Sequence, residues 1–225
     1  MGRNGGHWPS PVLPNRGIRR ATADDVPELT ELLAQAFLHG PVADWLVPGD
    51  PDARLEVYLE YFAMYADDAV RNGEVEVNED LTCAALWYPA GHAGWPANYS
   101  SRLHTLAGPH LPRFRQLDQA FSRAHPAGEH DYLAFLAVDP LRQGMGQGTR
   151  MLRHHHVRLD AIGRAAYLEA SNTRNRDLYL RHGYVVLDEI TLPDGPPVWP
   201  MRRTPAPPAT PSPAGSPEGV DDDGD

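Results

Sequence analysis

Residues 138–148 read Val-Asp-Pro-Leu-Arg-Gln-Gly-Met-Gly-Gln-Gly, between a nearly continuous apolar run at 132–138 and a helical pattern. Glycines there let the backbone approach a bulky anion. The N–H groups that open the next helix lack intrahelical acceptors and offer donors and positive potential to phosphate oxygens. Strand, loop and helix therefore form a candidate pyrophosphate cradle. A Walker loop requires Lys-Ser/Thr after its last glycine, whereas Thr149-Arg150 follow here. A Rossmann fingerprint fails because Thr149 stands where the third glycine belongs.

Two other groups with potential chemistry read as structural. Cys83 lies in an apolar run with no neighbouring base or cation to activate it, and a single cysteine forms no intrachain disulfide. His154, His155 and His156 are consecutive, so on a helix they point about 100° apart and cannot share one metal ion. His155 falls on the apolar face with Leu152, Leu159 and Ile162; the other two are expected to be solvated. No metal site is expected.

These residues need a mixed α/β frame to position them. Residues 18–21 predict a strand, followed by a helix with Val26, Leu29, Leu33 and Phe37 on one face, capped by Asp24 or Thr22, with Pro27 favouring Asp24. A second helix is expected over 52–71, and then a hairpin of strands 73–78 and 81–87 turning at Glu79 and Asp80. Residues 90–127 are rich in Pro, Gly and His, with a helix around 113–123. After the loop and its helix come a strand at 165–170, a short helix at 175–182, and strands at 184–192 and 198–202. The organisation expected is a flexible arm over 1–16, one domain over 17–203, and a Pro/Ala-rich acidic tail over 204–225.

The loop also matches the Gln/Arg-x-x-Gly-x-Gly/Ala signature as Gln143-x-x-Gly146-x-Gly148. Further on come Leu168-Glu169-Ala170-Ser171-Asn172, Asn175, and Leu178-Tyr179-x-x-x-Gly183-Tyr184. In this the chain resembles the GNAT family of N-acetyltransferases. The resemblance implies the GNAT fold: a mixed, mostly antiparallel sheet with splayed central strands and flanking helices. It implies acetyl-CoA as co-substrate, bound by Gln143, Gly144, Met145, Gly146, Gln147 and Gly148 at the pyrophosphate, with Asn172 and Asn175 as further CoA contacts. Leu136, Ala137 and Val138 would lie on a bulged strand beside pantetheine and present an N–H to the thioester carbonyl. Tyr179 occupies the place of the tyrosine that protonates the departing thiolate. The general base stays open among Glu169, Glu129, His130, Asp131 and Tyr132.

Within the family, residues 134–148, 168–171 and 193–201 are similar to the puromycin N-acetyltransferases and their actinobacterial relatives. That points to the primary amine of a small molecule, an aminonucleoside antibiotic being one such acceptor, and to a role in antibiotic resistance. Trp87, Tyr88 and Trp95 would offer a flat aromatic wall. The competing functions are acetylation of proteins or peptides, and a module that binds acyl-CoA without turnover.

Composition limits the partners. The net charge is −10, half of it carried after Arg203, and all twenty basic residues are Arg. An acidic domain offers no broad footprint to nucleic acid. There is no apolar run long enough to cross a bilayer and no apolar segment near Met1, so a soluble cytoplasmic enzyme without a membrane partner is expected. Many enzymes of the resembled fold dimerise, which by analogy allows a homodimer.

Overall fold

The computed structural model describes residues 17–92 and 95–207. The expected arm at 1–16 and nearly all of the expected tail fall outside the described residues. In order, the elements are β1 (Ile18–Arg20), α1 (Val26–Phe37), α2 (Pro41–Leu46), α3 (Pro51–Asn72), β2 (Glu74–Asn78), β3 (Cys83–Tyr88), α4 (Tyr99–Ala107), α5 (Leu111–Ala124), β4 (His130–Val138), α6 (Gln147–Ala161), β5 (Ala165–Ala170), α7 (Thr173–Arg181), β6 (Val185–Val186), β7 (Ile190–Thr191) and β8 (Pro197–Arg203). The sheet order is β1-β2-β3-β4-β5-β8-β6, with β7 also on β8, and β4–β5 is its parallel pair.

The uninterrupted apolar run of β3 is explained by burial on both faces. Ala84, Leu86 and Tyr88 pack into one core with α1 to α5, while Cys83, Ala85 and Trp87 pack into a second core under α6 and α7. A central strand covered on both sides needs no polar alternation. Burial pushes the Cys83 thiol up to about 12, which keeps it inert.

Four local expectations are corrected. The turn after β2 spans residues 79–82 instead of two, because the Asn78 side chain accepts the N–H groups of Thr82 and Cys83 at 3.0 and 2.8 Å and delays the second strand. Of the two caps considered, Thr22 and not the favoured Asp24 opens the segment: it caps a 3-10 turn over Ala23–Asp25 that leads into α1, and the Asp25 carboxylate accepts the Thr22 N–H at 2.7 Å. Ile162 lies just past the end of α6 and is 66% exposed, while His156 is buried with its Nε2 3.1 Å from the Tyr184 hydroxyl.

Helices α2 and α4 were not foreseen. The short α2 is held by tertiary contacts: buried Arg54 donates to the carbonyls of Leu38 and Val47 at 2.9 and 2.7 Å and pairs with Asp44 at 2.7 Å. Trp45 donates to the Pro193 carbonyl at 2.9 Å, and Gly195 is required there because a Cβ would stand 2.6 Å from the indole nitrogen.

Behind the sheet, fully buried His155 stacks on Trp87 with centroids 3.9 Å apart. Its Nδ1 is 3.1 Å from Glu76 and its Nε2 is 3.6 Å from Asp131, an ion-pair contact longer than a hydrogen bond. Burial disfavours the charged ring, but the two carboxylates outweigh it and hold His155 above the usual imidazole value. The folded state therefore binds this proton more tightly. Its contribution to stability is full below the unfolded value of about 6.5 and is lost as pH rises through the raised folded value. His155→Gln is expected to cost about 1.5 to 3 kcal/mol in mildly acidic buffer. Denaturant unfolding of both proteins over a pH series checks this, since the gap should narrow on the alkaline side.

Candidate active site

β4 and β5 pair only over residues 130–132 and 165–167, and then they diverge. β4 is also bulged: Trp87 of β3 faces Leu133, but the next residue, Leu86, faces Phe135. Ala134 is the extra residue. As a result Ala134 and Phe135 both pack toward the α1–α5 side, and alternation resumes at Leu136. Past Tyr132 the β5-facing edge of β4 has no strand to pair with, so its backbone groups can serve a ligand.

A continuous cavity of about 660 Å³ occupies the split. At one end lies the glycine loop. Gly144 and Gly146 adopt φ of +81° and +82°, a left-handed conformation that turns the chain from β4 into the start of α6. Gln143, Gly144, Gly146, Gln147 and Gly148 line the cavity, while Met145 is 60% exposed and does not. Arg174 donates to the Gln143 side chain at 3.2 Å, bringing a cation to the loop. These features fit a pyrophosphate: free N–H groups at a helix start, open space above Gly146 and a guanidinium nearby.

The other expected contacts separate by role. Leu136 and Val138 line the cavity, whereas the Ala137 side chain is buried in the α1–α5 core. Asn172 and Asn175 both reach the wall, and the Asn172 side chain accepts the Asn175 N–H at 2.8 Å as the cap of α7. Ser171, beside them, was not singled out from sequence. Tyr179 is buried at the wall, and burial raises its phenol above the ordinary value, so it retains its proton throughout the physiological range.

β5 places Ala166, Leu168 and Ala170 in the core under α6 and α7, so the alternation of a strand sends Tyr167 and Glu169 to the opposite face. Glu169 there reaches the cavity, where the Tyr132 hydroxyl donates to its Oε2 at 2.8 Å. Its Oε1 is buried with no hydrogen-bond partner. Burial lifts its pKa to about 7, against the lowering effect of the Tyr132 and Tyr167 hydroxyls. The other base candidates have different partners. Glu129 is exposed and pairs with Arg164, and Asp131 faces His155 and Arg164. His130 lines the cavity, but its Nδ1 donates to the Gly128 carbonyl at 2.8 Å and its Nε2 is 2.9 Å from His125 Nε2.

The cavity wall is also aromatic, with Tyr61, Tyr65, Tyr88, Trp95 and Phe121 lining it together with Asp118. Trp87 does not belong to that wall, since it is stacked on His155 behind the sheet.

The acetyltransferase (GNAT) family model matches residues 110–184, which span α5 to α7 and include the loop, Glu169 and Tyr179. A Corynebacterium glutamicum structure named as histone acetyltransferase HPA2 and related acetyltransferase aligns at 27% identity and TM-score 0.67, over 86% of this chain and 98% of that one. The chain is an N-acetyltransferase of GNAT fold. An arylalkylamine N-acetyltransferase 2 from Aedes aegypti shares the fold at 12% identity and TM-score 0.54, over 84% and 98% of the two chains. A Drosophila melanogaster polyamine N-acetyltransferase does so at 16% and 0.53, over 84% and 99%. Among the described residues, this acetyltransferase has no group of three or more His, Cys, Asp or Glu able to hold a metal, and no helix long and apolar enough to cross a membrane.

Proposed function

We propose that this N-acetyltransferase uses acetyl-CoA to acetylate the primary amine of a small molecule. The observation that carries the reading is Glu169, a part-buried carboxylate whose buried Oε1 has no hydrogen-bond partner, in the same cavity as the glycine loop. Gln143, Gly144, Gly146, Gln147 and Gly148 would hold the pyrophosphate, with Met145 contributing backbone only. Leu136, Ala137 and Val138 would flank the pantetheine arm, and Asn172 and Asn175 would line its path. An aromatic cavity bounded by α2, α3 and α5 favours a compact acceptor over a protein tail. Aminonucleosides enter as candidate acceptors on the similarity of residues 134–148 and 193–201 to the puromycin N-acetyltransferases.

Acetyl-CoA supplies an activated acyl group when bound. Glu169 then takes a proton from the bound ammonium, freeing the nitrogen lone pair for the thioester carbonyl. A free N–H on the β4 edge donates to the carbonyl oxygen as negative charge develops, a fixed dipole that needs no reorganisation. The new C–N bond forms as the C–S bond breaks. Tyr179 passes its proton to the departing sulfur and regains one as the amide nitrogen sheds its own.

Release of free thiol from acetyl-CoA, measured over aminonucleosides, arylalkylamines, diamines and short peptides, tests the reading. Turnover confined to peptides would replace it with protein acetylation. Acetyl-CoA binding without turnover on any amine would favour a binding module. Tyr179→Phe is expected to lower kcat by about 10²-fold, the low end for general acids because a thiolate leaves readily, with acetyl-CoA affinity unchanged. Equal turnover would remove the acid role.

A further inference from the structure

Asp118 of α5 lines the same cavity as Glu169 and the glycine loop. The Tyr99 hydroxyl, from α4, donates to its two oxygens at 3.0 and 3.1 Å. Among the described residues, no Arg or His forms an ion pair with it. The buried carboxylates behind the sheet differ, for Glu76 faces His155 and Arg158, and Asp131 faces Arg164. A carboxylate accepts about four hydrogen bonds, so one phenol leaves most of that capacity unused. An anion in an apolar wall is costly unless a counter-charge arrives. Burial accordingly raises Asp118 to about 6, the Tyr99 hydroxyl acting in the opposite sense, and it remains mostly ionised at neutral pH.

The rings around it suit the same ligand. Tyr61, Tyr65, Trp95 and Phe121 share the wall, and aromatic faces attract cations as well as hydrocarbon. We infer that Asp118 and these rings receive a second basic nitrogen of the acceptor. The preferred substrate is then a diamine with an apolar spacer, one nitrogen at Glu169 and the other at Asp118. This rests on the acetyl-transfer reading for the Glu169 end only.

Calorimetric titration of the CoA-saturated enzyme tests it with para-xylylenediamine against para-methylbenzylamine, and with hexanediamine against hexylamine, thiol release from acetyl-CoA being followed in parallel. Wild type is expected to hold at least one diamine about 10- to 100-fold more tightly than its monoamine, the range for a charge-assisted hydrogen bond. Asp118→Asn, which can still accept from Tyr99, should erase the preference. Tyr99→Phe, which keeps the charge, should retain it. Equal affinity for diamine and monoamine in wild type with both spacers overturns the inference, as does a preference that survives Asp118→Asn. Failure of the acetyl-transfer reading has a different signature: no thiol release with any amine, whatever the affinities.

Discussion

Glu169→Gln is expected to lower kcat for amine acetylation by about 10²- to 10³-fold while leaving acetyl-CoA affinity within a factor of about two, as befits a group acting on the proton alone. The Gln amide keeps the volume and can still accept from the Tyr132 hydroxyl, so the wall of the split should survive. The pH profile is the sharper readout. With its pKa raised to about 7 by burial, Glu169 becomes a competent base as pH rises through that value, so wild-type kcat/KM should climb there and the variant should lose that limb. Stability should move oppositely. An acid whose folded pKa exceeds the unfolded one costs stability as pH rises from the ordinary carboxylate range to about 7, and Gln carries no such cost. The variant should therefore be at least as stable as wild type in mildly alkaline buffer. Unchanged turnover, or a parallel fall in stability and activity, would return Glu169 to a packing role.

Gly146→Glu is expected to weaken acetyl-CoA binding by more than about 10²-fold, with Gly146→Ala losing no more than about 30-fold, the part due to left-handed backbone strain at roughly 1 to 2 kcal/mol. At φ +82° both side chains are strained, but a Cβ would meet no protein atom within 4 Å, so neither clashes with the fold. What separates them is charge. The Glu carboxylate can occupy the N–H groups that open α6, where it satisfies the helix and excludes the pyrophosphate. Equilibrium binding of acetyl-CoA measures the difference. Equal losses for Ala and Glu would move the anion site away from this loop.

The sequence by itself determined the parts whose pattern is local. The glycine loop between apolar strand and helix, and the amphipathic α1, α3 and α6, follow from spacing, because the 3.6-residue period fixes which side chains share a helix face. The sheet type and the splay of β4 from β5 were implied by resemblance to a family, and the structure shows both. Only the tertiary structure decided the rest. It gave Glu169 surroundings unlike those of Glu129, Asp131, His130 and Tyr132, five candidates equal in sequence, because burial and partners depend on residues far along the chain: Tyr132 reaches Glu169 across the split, while His155 and Arg164 take Asp131. It buried His156 against Tyr184 and moved Trp87 out of the cavity. It also brought Asp118 into the cavity, where sequence shows only one acidic residue on an amphipathic helix. A charge on a helix face reads as solvated until the neighbouring elements are known, and here α3 and α4 supply the rings that surround it.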